Sequence, residues 1–242
     1  MKLNSIYTTF NGEVNAQGIG SPVIFVRLQG CHLRCYKKTM GILCDTPEGL
    51  KKPTQRDEIN SIFAEIEQVS KTTGLKLITL TGGDPLWNKE EELIELFTLL
   101  SKGGYTTNVE TSGTISWLPY RHIPRVHWVL DYKCKSTGVS PKLNLLAFRD
   151  NLLELDKNDF IKFVIYDGAD YEEFLSFFKF KELVTNCQAN IAVGAFWGGK
   201  LDTFELFEML KKDGLLSKIT INMQTHKMAV SSDYNKFIPT DI

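Results

Sequence analysis

Read for its apolar positions, the chain alternates two kinds of segment. Short, β-branched apolar runs at residues 23–29, 75–81, 105–110, 126–131, 160–165, 189–193 and 218–223 predict strands. Between them, Ile59, Ile62, Phe63, Ile66 and Val69 fall at helical spacing, as do Leu93, Leu96, Phe97 and Leu100. Thr54-x-x-Asp57 and Asp202-x-x-Glu205 stand where N-terminal capping boxes belong, Asp57 being a weaker partner than a Glu. Strand, crossover helix and strand again predicts an α/β protein with mostly parallel strands. Six or seven such strands suit an incomplete (β/α) barrel or a doubly wound sheet. A full eight-unit barrel typically takes about 250 residues, and this chain has 242. No repeat, low-complexity tract or linker-like shift divides it, so residues 1–242 read as a single domain.

Polar residues collect at the strand ends. Thr81-Gly82-Gly83-Asp84-Pro85 follows one, Glu110-Thr111-Ser112-Gly113 the next, and Asp131-Tyr132-Lys133 closes another. Residues 194–199 follow the sixth strand and Gln224-Thr225-His226-Lys227 the last. Each alone is an ordinary turn. Five in series predict one shared pocket on the carboxyl face, where (β/α) barrels keep their active sites.

Composition narrows the function classes. Apolar residues make up 43% and charged residues 24%, the balance of a folded globular chain. Twenty-eight basic residues against 29 acidic ones leave a net charge of −1, so no global field draws nucleic acid. No apolar run approaches the roughly 20 residues of a membrane span, and the first five residues hold no apolar signal core, which reads as cytoplasmic. Five cysteines, an odd number, argue against a disulfide framework and favour metal or redox chemistry.

The strongest local signal is Gly30-Cys31-His32-Leu33-Arg34-Cys35, followed by Cys44-Asp45-Thr46. Three thiolates can hold a [4Fe–4S] cluster by three irons and leave the fourth open to a ligand. The alternatives are unrelated free thiols, or a structural zinc site with His32 as fourth ligand. Adjacent Cys31 and His32 are poorly placed to face one ion, and zinc favours paired Cys-x₂₋₄-Cys knuckles. Cys134 and Cys187 have no partner nearby in sequence and read as buried thiols.

With Gly-Gly-Asp-Pro after the next strand, this pattern resembles the radical S-adenosylmethionine (SAM) superfamily, and more narrowly the 7-carboxy-7-deazaguanine synthase family. The similarity runs from Thr9-Phe10-Asn11-Gly12-Glu13 through Phe25-Val26-Arg27-Leu28-Gln29-Gly30-Cys31 and Cys44-Asp45-Thr46. It continues through the strand-end motifs and Gly199-Lys200-Leu201-Asp202 to Met223-Gln224-Thr225-His226-Lys227. Four departures from the usual patterns stand out. Eight residues separate Cys35 from Cys44 where the superfamily usually has two, a gap this family varies; Asn11 stands for the usual Gln, Asp84 for the more common Glu, and residues 228–242 match no family pattern.

The resemblance implies a cluster on Cys31, Cys35 and Cys44, and SAM bound by Gly83, Glu110, Asp131, Tyr132, Lys133 and the Ala195, Phe196, Trp197 and Gly198 segment. For Phe196 and Trp197, core packing is the competing reading. It implies 6-carboxy-5,6,7,8-tetrahydropterin as substrate, bound by Asn11, Gly12, Glu13, Arg27, Thr81 and His226. Glu13 can accept hydrogen bonds from a guanidine-like ring edge, and Arg27 can offer a forked donor to a carboxylate or carbonyl. Thr46 is the implied Mg²⁺ ligand, its hydroxyl joined by substrate oxygens and waters. The implied reaction is hydrogen abstraction at C6, ring contraction and loss of ammonia, giving 7-carboxy-7-deazaguanine for queuosine-type biosynthesis. That makes the chain a carbon–nitrogen lyase, with a reductant such as flavodoxin and a homodimer expected. Two rivals remain at this stage, a small radical SAM activase that installs a glycyl radical on a partner protein, and a non-enzymatic zinc-binding module.

Overall fold

The computed structural model describes residues 1–36, 41, 44, 46–50, 57–139, 150–184 and 187–228. Eight strands form one sheet in strict chain order: β1 (Leu3–Phe10), β2 (Pro22–Leu28), β3 (Leu77–Gly82), β4 (Thr106–Thr111), β5 (Val126–Tyr132), β6 (Phe160–Ile165), β7 (Asn190–Ala195) and β8 (Thr220–Ile221). β1 runs antiparallel to β2, and every later pair is parallel. The sheet is not closed, since β1 and β8 are not hydrogen-bonded neighbours, which is the architecture of an incomplete barrel. β1 was not among the predicted strands, and the 218–223 run yields only the two residues of β8.

Helices α1 (Ile59–Thr73), α2 (Glu90–Lys102), α3 (Gly168–Val184) and α4 (Thr203–Lys212) cross between strands, and a short α5 (Thr225–Met228) follows β8. In α1 and α2 the buried Ile59, Ile62 and Ile66 and Leu93, Leu96, Phe97 and Leu100 are the residues of the helical pattern. Gly74 ends α1 in the left-handed region at φ 74°, which costs a glycine no Cβ clash, and its amide donates to Ser70 O. The Asp202/Glu205 capping box opens α4, with both reciprocal bonds made, at 2.8 and 2.9 Å. The other predicted box involves Thr54 and Asp57. α1 starts after Glu58 without a side-chain cap, Asp57 instead accepts from Leu3 N–H at 3.1 Å, and Thr54 lies outside the described residues.

The two-residue period of the strands sorts their side chains. Ile24, Val26 and Leu28, Ile78 and Leu80, Val109, Trp128 and Leu130, Ile161, Phe163 and Ile165, and Ile191 and Val193 join the main apolar core. Their alternates, Arg27, Thr79, Thr81, Asn108, Glu110, Asp131 and Lys162, are polar and lie outside that core. Apolar burial therefore holds the sheet on one face and frees the other for chemistry.

The gap between β1 and β8 is bridged without a ladder. Val14 N–H donates to Asn222 Oδ1 at 3.0 Å, and Thr225 N–H and Oγ1 donate to Gly12 O at 2.9 and 3.2 Å. This seam joins the segments after the first and last strands.

Candidate active site

A cavity of about 560 Å³ opens over the carboxyl ends of the strands. Loops after β2, β3, β4, β5 and β7 and the segment after β8 all reach it, as the series of polar strand ends predicts. Among its lining residues are Cys31, Cys35 and Cys44, Asn11, Gly12, Glu13, Arg27, Thr46, Thr81, Gly83, Glu110, Asp131, Lys133, Phe196 and His226.

The cysteine loop is pinned from three sides. Gly83 passes so close beneath it that a Cβ would stand 2.2 Å from Gly30 O and 2.8 Å from Cys31 Cβ. Only a glycine fits this crossing, so the need for it lies first in protein packing. Asp84, 1% exposed, accepts from Leu86 N–H (3.1 Å), Thr111 Oγ1 (2.8 Å), Ser112 N–H (3.2 Å) and Ser112 Oγ (2.5 Å). A further chain of hydroxyls links Ser112 to Thr114 and Thr114 to His32 Nε2, each at 2.8 Å. His32 also stacks on Trp87, with 5.2 Å between ring centroids. Leu33, Cys35, Tyr36, Val139 and Phe196 form a separate small apolar cluster behind the loop.

The donor set fits an iron–sulfur cluster. Cys31, Cys35 and Cys44 share the wall of one cavity, and three thiolates can hold such a cluster by three irons with the fourth left open. Burial pushes the Cys31 thiol up to about 11. Among the described residues, Cys134, Asp170 and Glu173 bring their ligand atoms within 4.8 Å of one another. Their carboxylates are already committed. Asp170 accepts from Ser136 N–H and Oγ and Tyr166 N–H, Glu173 from Lys135 N–H and Tyr132 Oη.

Across the cavity runs a charged chain. Lys133 lies 3.0 Å from Asp131 Oδ2, and Lys162 lies 3.4 Å from the same oxygen. Lys162 also donates to Glu13 Oε2, Gln224 Nε2 donates to Glu13 Oε1 at 2.6 Å, and Lys227 donates to Gln224 Oε1 at 3.2 Å. Burial alone would raise the Glu13 carboxyl, but the Lys162 charge and hydrogen bond, with the Gln224 bond, pull it down to about 2. Glu110 goes the other way, raised by burial and by the Glu13 and Asp131 charges. Burial lowers His226, against the raising pull of the Glu13 charge. Lys162, 4% exposed, was missed by sequence reasoning, and its sole signal was one lysine in an otherwise apolar strand.

Other predicted residues are not brought into the cavity. Tyr132 points to the opposite face, where it donates to Glu173 at 3.0 Å and stacks on Phe163 with centroids 4.9 Å apart. Ala195 packs on the main core, Trp197 is 54% exposed, and neither they nor Gly198 lines the cavity. Phe196 lines it and is also packed, 4.8 Å from Tyr36. Asn11 borders it, but its amide is engaged elsewhere. Thr79 Oγ1 donates to its Oδ1 at 2.6 Å and its Nδ2 donates to Asn15 Oδ1 at 3.2 Å. Residues 229–242 lie outside the described residues.

No protein-family model matches the chain. It is 36% identical over 173 residues to a 7-carboxy-7-deazaguanine synthase of Koribacter versatilis, covering 71% of this chain and 68% of that one. It is 32% identical over 235 residues to a protein of the same description from Leptospira interrogans, covering 93% of each. The crystal structure of QueE from Escherichia coli superposes with a TM-score of 0.63 at 22% identity, over 91% of this chain and 92% of that one. Streptococcus suis SuiB bound to S-adenosylmethionine superposes at 0.55 and 13% identity, over 79% of this chain and 47% of that one.

Proposed function

Since the chain belongs to the 7-carboxy-7-deazaguanine synthases, a family of radical SAM enzymes, we propose that the cavity over its strand ends is where the ring-contracting reaction takes place. The observation that carries this reading is the convergence of three cysteines, the Glu13–Gln224–His226 group and the Glu110–Asp131–Lys133 group on one cavity. In this reading Cys31, Cys35 and Cys44 hold a [4Fe–4S] cluster. A reduced cluster held there would supply the one electron that cleaves bound SAM to methionine and a 5′-deoxyadenosyl radical, which can take a hydrogen atom from the substrate.

The chain's own residues then do five things. The apolar cluster of Leu33, Tyr36, Val139 and Phe196 shields the cysteine side from water. Gly83 lets backbone approach closely beside Cys31, and Glu110, Asp131 and Lys133 present polar groups to the cofactor. Glu13, ionised by Lys162, accepts from the guanidine-like edge of the carboxypterin, with Arg27, Thr81 and His226 around it. Tyr7 and Phe25, stacked 5.2 Å apart, form an apolar wall that suits a bicyclic ring. Thr46, on the same wall as the cysteines, contributes a hydroxyl to a Mg²⁺ shell completed by substrate oxygens and water. Loss of ammonia completes the lyase reaction, and a flavodoxin-like protein is the proposed reductant.

The test is anaerobic reconstitution with iron and sulfide, followed by incubation with reductant, SAM, Mg²⁺ and 6-carboxy-5,6,7,8-tetrahydropterin. A deazapurine product is expected. SAM cleaved without that product would reject the substrate assignment, and a colourless, zinc-bound protein would reject the cluster.

A further inference from the structure

We propose that Lys162 is a specificity-determining positioning residue: held between Glu13 and Asp131, it keeps Glu13 a pure hydrogen-bond acceptor and so sets the site's demand for a paired N–H donor edge. The proposal rests on the substrate reading above and goes beyond it by naming what makes that recognition work.

The geometry is specific. Lys162 and Asp131 are direct neighbours across the β5–β6 ladder, both on the face turned away from the main apolar core. The Lys162 ammonium reaches Glu13, 149 residues earlier in the chain, and lies 3.4 Å from Asp131. Glu13 is thus touched at Oε2 by Lys162 and at Oε1 by Gln224. An ionised carboxylate offers about four acceptor positions. Two are used by protein donors, which leaves two, the number a guanidine-like edge requires.

The other groups around Glu13 are committed elsewhere or carry no positive charge to it: Lys227 donates to Gln224 Oε1 at 3.2 Å and Lys133 pairs with Asp131 at 3.0 Å. Glu110 from β4 and Asp131 from β5 are themselves acidic, and Gln224 is neutral. His226 is held toward its neutral form by burial, and the Arg27 charge on β2 acts on Glu110. Remove Lys162 and a buried carboxyl faces two others, a setting that favours protonation. A protonated Glu13 has a donor where the substrate also has donors, so the edge is rejected.

The probes are pterin-6-carboxylate, which carries the amino-bearing edge, and its 2-deamino analogue, titrated anaerobically into reconstituted enzyme with SAM. Wild type should bind the pterin about 100-fold more tightly than the analogue, the range expected of bonds to a charged acceptor, with little change from pH 5 to 8. Lys162→Met should bind SAM as wild type does but lose most of that preference. Its pterin affinity should fall as pH falls, because Glu13 then takes up a proton. Lys162→Arg should restore both preference and flat pH profile. A Lys162→Met enzyme with unchanged preference and profile would overturn the proposal while leaving the substrate reading intact. Wild type that binds SAM but not the pterin would overturn both.

An independent measurement needs no Lys162 variant. Carboxyl-labelled glutamate NMR of wild type, with Glu13 assigned by its loss in Glu13→Gln, should show no Glu13 titration above pH 4. A Glu13 signal that titrates between pH 5 and 7 would overturn the proposal.

Discussion

Gly12 lies directly beneath His226: a Cβ at position 12 would stand 2.2 Å from the histidine Nδ1 and 2.6 Å from its Cβ. The second contact is to the root of the side chain, so rotation cannot relieve it. Gly12→Ala should therefore displace His226. Misplacement of about 1 Å in a positioned group can cost on the order of 100-fold. Steady-state kinetics should show a raised KM for the pterin, with the cluster's iron content unchanged.

Asp84→Ala should destabilise the protein through the cysteine loop's support. Four hydrogen-bond donors converge on this buried carboxylate, two of them hydroxyls from Thr111 and Ser112. Leaving them unsatisfied should cost roughly 2–4 kcal/mol. Chemical denaturation of the apo protein measures it, and Asp84→Asn should cost less than Asp84→Ala.

Tyr132→Phe separates the two faces of β5. The hydroxyl it removes donates to Glu173, away from the cavity. SAM affinity, read by equilibrium binding, should stay within twofold, while stability falls by about 1 kcal/mol. A large loss of SAM affinity would return Tyr132 to the site.

Stability should also depend on pH through Asp159. Burial raises this carboxyl to about 6 from an ordinary value of 3.8, with hydrogen bonds from Asp156 and Trp128 offsetting part of the rise. The folded state therefore binds more protons than the unfolded state between those values, and stability should decline as pH rises from about 4 to 6. A shift of this size corresponds to at most about 3 kcal/mol. Urea denaturation at several pH values should find a flatter profile in Asp159→Asn.

Cys44→Ala should abolish the visible absorbance and the iron content of reconstituted protein, as should Cys31→Ala and Cys35→Ala. Cys134→Ala should keep both, because Cys134 is wholly buried and lies outside the cavity. A Cys44→Ala protein with a full, SAM-cleaving cluster would move the third ligand elsewhere.

Much of this architecture is legible in the sequence because the parallel strands and their crossover helices are written as apolar periods. β1 is the exception, and its burial explains why. Only Ile6 of its eight residues is buried, so no alternation marks it as a strand. The strand-end motifs announced the cavity, yet they carry no information on which way each side chain turns. For Tyr132 a rule was available. Its neighbours Asp131 and Lys133 line the cavity, so the two-residue period sends Tyr132 to the other face. Lys162 looked like an interruption of an apolar strand, because its partners Glu13 and Asp131 are remote in sequence. Asn11 is assigned through the resemblance carried by Asn11-Gly12-Glu13, and the contact with Thr79 shows that its amide is already engaged.

The bridged seam has a consequence for the order in which the protein becomes competent. Glu13 and Gln224, whose side chains meet at 2.6 Å, are 211 residues apart in the chain. During synthesis the cysteine loop and Glu13 leave the ribosome well before Gln224, the partner that orients Glu13. Contacts closing so long a loop form late in folding as well. A nascent chain can thus present its cysteines before Glu13 is held by Gln224, and that part of the cavity is complete only when the segments after β1 and β8 have been tied.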